Sequence, residues 1–192
     1  MGALVKVFGL ALAIGAALLA FAMPASAATL GVSYSGVLNY VPPAGAGQFT
    51  VGDTFTFNIV VDDSVPDDEP MAGVGRYSAI KQFNGSFSNG YTFASTTGTD
   101  RVRTIDDPLG DVAEFQGFDL TAPAIGDYAL NFVSLLFNDP SGSMLGSEAI
   151  PTDLAGLLSL SLNNTLMLQF LTPGGNAFIA LGAATSTFAL SL

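Results

Sequence analysis

The residues of this chain best suited to chemistry are carboxylates, and the densest group of them is Asp62-Asp63-Ser64-Val65-Pro66-Asp67-Asp68-Glu69. Acids this close repel one another unless water or a counter-ion neutralises them. A hard cation such as calcium, which collects about six to eight oxygen ligands, would do so. Asp62, Asp63, Asp67, Asp68 and Glu69 are therefore the candidate calcium ligands, although their spacing is not that of an EF-hand loop. A solvated acidic loop is the simpler account of the same run. A second acidic group, Asp100, Asp106, Asp107 and Asp111, stands near Arg101 and Arg103. It reads as a surface charge network around the turn Asp107-Pro108-Leu109-Gly110, with a second cation or sugar-hydroxyl site as the functional alternative.

What is missing narrows the chemistry further. The chain has no His, no Cys and no Trp, which removes Ser-His-Asp triads, Cys-His pairs, and ordinary zinc, haem and iron–sulfur sites. Paired carboxylates remain, and Glu69, Glu114 or Glu148 with an Asp partner could in principle hydrolyse a glycosidic bond. That reaction needs a separation of about 5–10 Å and one raised pKa, and no motif marks such a pair. Lys81, beside Gln82, is the only Lys after Lys6. An enzyme is not expected. The segments Gly73-Val74-Gly75 and Pro173-Gly174-Gly175-Asn176 lack the Gly-Lys-Ser/Thr of a phosphate loop and read as turns. The shortage of Lys and Arg argues against nucleic acid as a partner.

The elements that position these residues are strands. In Asp53–Val61, Phe55, Phe57, Ile59 and Val61 alternate with Thr54, Thr56, Asn58 and Val60, a period of two that a half-buried strand produces and a helix does not. Comparable runs lie near Leu30–Leu38, Ile80–Ser88, Tyr91–Ser95, Arg101–Ile105, Val112–Leu120, Tyr128–Asn138, Leu157–Leu162, Thr165–Leu171, Phe178–Leu181 and Thr185–Leu192. Asn89-Gly90, Asp139-Pro140-Ser141-Gly142, Asn163-Asn164 and Pro173-Gly174-Gly175-Asn176 punctuate them as turns. The nearly all-apolar run Ala129–Phe137 suits a central strand. Pro151–Leu160 is the one helical competitor, good for at most a single turn. Two longer irregular stretches, Asp62–Tyr77 and Asn138–Gly156, read as binding, capping or mobile loops. The Phe side chains at alternate positions are core, whereas Tyr77 and Tyr91, at loop edges, are the surface candidates. The expected fold is all-β, an antiparallel β-sandwich of jelly-roll type with little or no helix.

Residues 1–27 read as a secretory signal: Lys6, an apolar run from Val7 to Ala22, Pro24 and the small-residue site Ala25-Ser26-Ala27. The run is short of the ~20 residues a membrane-spanning helix needs, so no span is expected in the mature chain. Its removal leaves residues 28–192 as one domain of 165 residues, with a net charge of −12 in place of −11. That length can bury about 70% of the unfolded surface without disulfides.

This pattern resembles the exported β-sandwich proteins of Gram-negative bacteria that carry a PEP-CTERM sorting tail. The resemblance lies in the signal ending Ala25-Ser26-Ala27, in Phe55-Thr56-Phe57-Asn58-Ile59 leading to the Asp/Pro loop closed by Pro70, and in Gly75-Arg76-Tyr77-Ser78-Ala79-Ile80. It continues through the hairpin Phe83–Phe93, the turn Leu136-Phe137-Asn138-Asp139-Pro140-Ser141-Gly142 and the Leu/Ser alternation from Leu158 to Leu162. The family's tail, a Val-Pro-Glu-Pro-like motif with a transmembrane helix and a basic cluster, is not among these residues; the last basic residue is Arg103. The chain reads as a tail-less relative or as an incomplete one. The chain as a whole reads as an exported, non-enzymatic structural or interaction component of the cell surface, extracellular matrix or periplasm, with polysaccharide and calcium as candidate partners; should the C-terminal strand lie at an edge, a position the sequence leaves open, it would also offer self-association by strand addition. The alternatives are a small outer-membrane β-barrel, suggested by Phe188, Leu190 and Leu192 at the C-terminus, and a carboxylate-dependent glycosidase or lyase.

Overall fold

The structure, a computed structural model, describes residues 28–68, 71–95 and 98–190. The signal segment 1–27 and Glu69 lie outside the described residues. The strands in chain order are β1 (Thr29–Tyr40), β2 (Thr54–Asp62), β3 (Val74–Tyr77), β4 (Ile80–Phe87), β5 (Thr92–Ser95) and β6 (Arg101–Ile105). They continue with β7 (Asp111–Gly117), β8 (Leu120–Thr121), β9 (Ala129–Asp139), β10 (Asn163–Leu171) and β11 (Ala177–Leu190). One helical turn, α1 (Leu157–Leu160), precedes β10. The protein is all-β, and every strand pair is antiparallel.

The alternation that marks β2 in the sequence is the alternation of its burial: Phe55, Phe57, Ile59 and Val61 point inward and are closed to solvent. The strands join in one continuous sheet, in the order β3-β6-β7-β9-β10-β11-β1-β2-β4-β5-β8. A flat sheet would hold β1 and β9 three strand spacings apart, roughly 14 Å. Instead the rings of Tyr34 on β1 and Phe137 on β9 have centroids 4.9 Å apart, and a Cβ on Gly117 of β7 would come within 2.8 Å of Phe83 on β4. The sheet is therefore curled so that its two wings face each other across a core of aromatic side chains. Phe49, Phe55, Phe57, Phe83, Phe115 and Phe170 are each 2% exposed or less. The inward face is apolar and the outward face is mixed, with polar rows on β2, β4 and β5 but Phe132, Leu136, Met167, Ile179 and Leu181 on β9, β10 and β11. Among the described residues no helix is long and apolar enough to cross a membrane.

The hairpin turns form where Gly and Asn require them. Gly90 adopts φ +86°, its N–H reaches the Phe87 carbonyl at 2.9 Å, and the Asn89 carboxamide accepts from the Tyr91 N–H. Gly175, with φ +81°, closes the β10–β11 turn in the same way. As expected from its composition, β9 is interior, paired with β7 and β10.

Three expectations are corrected, and a fourth point is settled. Leu157–Leu160 is a helical turn and makes no hairpin with Thr165–Leu171, because Asp153 accepts the Gly156 N–H and the Gly156 carbonyl gathers the N–H groups of Ser159 and Leu160. Asp62–Tyr77 is not wholly irregular, since its last four residues form β3. Phe178–Leu181 and the described part of Thr185–Leu192 belong to one strand, β11, continued through Gly182-Ala183-Ala184. Finally, the position of the C-terminal strand, left open by the sequence, is interior and not an edge: β11 lies between β10 and β1. The edges are β3 and β8.

Candidate functional site

The acidic loop is folded outward from β2, and each of its described carboxylates is held by a different donor. Asp62 Oδ1 accepts from both the N–H and the hydroxyl of Ser64, and its other oxygen lies 3.2 Å from Lys81 Nζ. The Ser64 hydrogen bonds, and then Lys81, hold its pKa below the usual carboxylate range. Asp63 accepts from the Ala28 N–H at 3.0 Å, Asp67 from the Arg76 N–H at 3.0 Å, and Asp68 from the N–H and hydroxyl of Ser78. Among the described residues, no three acidic side chains converge where they could hold a metal ion. Of the proposed calcium ligands, Asp62 ends β2, and Asp63, Asp67 and Asp68 lie in the loop that follows it.

Only part of the second acidic group is at the surface: Asp107 is exposed and Asp106 half-buried. Asp100 is 2% exposed and Asp111 fully buried. Each serves the backbone: Asp100 accepts from the Phe118 N–H at 2.8 Å, and Asp111 from those of Asp107 and Leu145. Burial raises the Asp100 pKa above the usual range, against the pull of its Ser95 and Phe118 hydrogen bonds. Asp139, opposite Asp111 in the β7–β9 register, accepts from the N–H and hydroxyl groups of both Ser141 and Ser143. These bonds, the Ser141 hydroxyl first, bring its pKa down to about 2.

Buried acids pin the 139–156 stretch, which caps the open end of the core. The Glu148 carbonyl accepts the hydroxyls of Thr104 and Tyr77, and the Leu154 carbonyl accepts that of Tyr34. Met144, Ile150 and Leu154 pack inward. Tyr77 and Tyr91, expected at the surface, are 6% and 2% exposed. Their rings sit in the core and only the hydroxyls reach the rim, Tyr91 donating to the Pro123 carbonyl at 3.0 Å. Burial pushes the Tyr91 pKa up to about 12. Of the carboxylates weighed for glycoside hydrolysis, Glu69 lies outside the described residues, and Glu114 and Glu148 stand on opposite faces of the sheet. Glu114 lies on the outer face of β7, bonded to Ser134 at 2.5 Å and 3.6 Å from Arg103, whereas Glu148 lies in the cap on the inner side of β6.

The remaining candidate is a groove of ≈ 640 Å³ on the outer face, where β2, β4, β5 and β8 run side by side. Residues opposite one another in antiparallel pairs point to the same side, so the registers place Ser33, Asn58, Asn84, Ala94 and Thr121 in one row across five strands. A second row beside it runs Ser35, Thr56, Ser86, Thr92, with the Ser35 and Thr56 hydroxyls 3.1 Å apart. Asn58, Asn84, Ser86, Thr92 and Thr121 line the groove, and no charged side chain does. Phe188 stands opposite Ser33 at the far end of the first row, 60% exposed. These residues were legible only as the outward half of strand alternations; nothing in the sequence indicates that long-range registers align them. No protein-family model, no curated protein and no solved structure matches the chain.

Proposed function

We propose that the protein is an exported, non-enzymatic component of the cell surface or extracellular matrix that holds a neutral polysaccharide in the groove across β2, β4, β5 and β8. The observation that carries this reading is the uncharged row of carboxamides and hydroxyls in a chain of net charge −11. Asn carboxamides and Ser/Thr hydroxyls both donate and accept, as sugar hydroxyls do. An uncharged lining spares the site the cost of desolvating an ion. No carboxylate lines the groove, so no ionised group stands directly against a ligand there. The exposed Phe188 ring offers an apolar face in line with the same row, suited to the C–H face of a sugar. Export and matrix residence are supported by the signal-like segment 1–27 and by the resemblance to exported β-sandwich proteins.

Affinity electrophoresis or calorimetry against a panel of neutral glucans and galactans, with a polyuronate as the charged comparison, tests the reading. Binding to at least one neutral polymer is expected, and Asn84→Ala should weaken it by about fivefold, the loss of roughly one hydrogen bond. The melting temperature should stay unchanged, since Asn84 is on the outer face. Absence of binding to every neutral polymer in the panel sinks the proposal.

A further inference from the structure

The groove on the outer face is longer across the strands than along them. Its lining reaches from Asn58 on β2 to Thr121 on β8, which is three strand spacings or roughly 14 Å. Along β4 and β5 it covers only the advance of two residues, roughly 7 Å. Asn84 and Ser86 flank Gly85 on β4, and Thr92 and Ala94 flank Phe93 on β5. The flanking side chains turn outward, whereas Phe93 is buried and a Cβ on Gly85 would strike its ring. The strip between the two rows is therefore floored by backbone, with one row standing on either side of it. Ala122 and Pro123 line its β8 end, and towards β1 both rows continue as Ser33 and Ser35.

Building on the neutral-polysaccharide reading, we infer that the ligand is an extended, ribbon-like glycan of β-1,4-linked glucose or mannose, lying across the strands with one sugar over each. Such linkages leave the ring equatorially at both ends, so the chain runs straight and each ring advances it by close to one strand spacing. Every ring then meets the same pair of rows as the one before. Successive rings of a ribbon turn over, presenting a given hydroxyl first to one side and then to the other. Both rows can answer, because Asn carboxamides and Ser/Thr hydroxyls donate as well as accept. An α-1,4-linked chain coils and lifts away from a straight strip, and a chain laid along the strands would run out of the groove almost at once. A polyuronate finds no Lys or Arg in the lining and meets a molecule of net charge −11, which repels it.

Calorimetry of the protein with cello- and manno-oligosaccharides, from the disaccharide to the heptasaccharide, tests it, with malto-oligosaccharides as the coiling comparison. Affinity for at least one extended series is expected to rise about fivefold with each sugar, roughly one net hydrogen bond, until the strands of the groove are covered, and then to level off. The malto series is expected to bind more weakly and to gain little beyond the disaccharide. Asn58→Ala and Thr121→Ala stand at opposite ends of the groove, and each is expected to weaken the heptasaccharide about fivefold without moving the melting temperature. A chain along the strands would feel only one of them. The inference is overturned by extended series that level off at the disaccharide, by malto-oligosaccharides that bind as tightly, or by heptasaccharide binding indifferent to either variant. Should a variant fail to fold, the two length series with the unaltered protein decide alone. Binding of a galactan or an α-glucan without binding of either extended series overturns the inference and leaves the neutral-polysaccharide reading in place; no binding of any neutral glycan removes both.

Discussion

Asp139 and Asp100 are both shut off from solvent, yet they bear on stability in opposite directions. Asp139 ends β9, where its own turn wraps it in four donors and little of the core surrounds it, so hydrogen bonding outweighs desolvation. Its folded-state pKa of about 2 lies below the ordinary value, so ionisation favours the fold. That contribution is complete above the ordinary carboxylate pKa of roughly 4 and is lost as pH falls towards 2. Asp100 lies deeper, and burial raises its pKa. Protonation then favours the fold, and the benefit is lost as pH rises through the folded-state value. Thermal melts from pH 2 to 7 check both signs. Asp139→Asn is expected to flatten the acid limb of the stability curve below pH 4. Asp100→Asn, which keeps an oxygen for the Phe118 N–H, is expected to raise the melting temperature at pH 7 and to lose that advantage as pH falls. A lower melting temperature for Asp100→Asn at pH 7 would mean that its charge is a net stabiliser.

At the level of elements, the tightest join is where β1 meets β11. The register slips between Ser35 and Gly36, with Ser35 opposite Ser186 but Gly36 opposite Ala184, and the bulge presses the two backbones together. A Cβ on Gly36 would lie 2.0 Å from the Ala183 carbonyl oxygen and 2.5 Å from the Phe55 ring. The oxygen belongs to the ladder and cannot swing away, so Gly36→Ala is expected to cost about 1–3 kcal/mol in a urea melt, the usual penalty of overpacking. Gly47→Ala, with nothing within 4 Å of the added methyl, is expected to be neutral or slightly stabilising. A Gly36→Ala variant as stable as Gly47→Ala would show the bulge to be slack. The same join marks the limit of sequence legibility. β2, β4, β6, β9 and β10 could be read because large apolar residues alternate in them, and the Asn89-Gly90 and Gly174-Gly175 turns because positive φ selects those residues. β11 was divided in two because Gly182-Ala183-Ala184 carries no bulky inward side chain, and β3 was missed because Val-Gly-Arg-Tyr is too short to show a period. The Leu158-Ser159-Leu160-Ser161-Leu162 alternation misled because only Leu158 of its leucines packs against the core, Leu160 and Leu162 being 48% and 70% exposed. The site residues were the least legible, since carboxylates announce themselves by type, whereas the groove arises only from registers between distant strands.

The curled sheet is joined through its first and last described strands. One wing of the curled sheet is β6, β7, β9, β10 and β11, the other is β1, β2, β4 and β5, and within the sheet only the β1–β11 pairing joins them. Each wing also lends the other its edge: β3, drawn from between β2 and β4, completes the wing of β6, and β8, drawn from between β7 and β9, completes that of β5. Neither loan can be made before both wings exist, so β1 and β11 must meet for the core to close. Removing Ala183–Leu190 deletes the partners of Gly31–Val37 and leaves β1 as a new edge beside an open core. A chain ending at Gly182 is therefore expected to lose cooperative unfolding and near-ultraviolet dichroism while keeping strand signal from the separate wings, the signature of lost tertiary packing. The intact chain, whose closing contact pairs β1 with β11, is expected to fold in milliseconds to seconds, as sheets dominated by non-local pairing do. A truncated chain that melts cooperatively at the temperature of the intact one would show that the aromatic core alone, with Tyr34 against Phe137 and Phe57 against Phe83 and Phe93, suffices to hold the wings together.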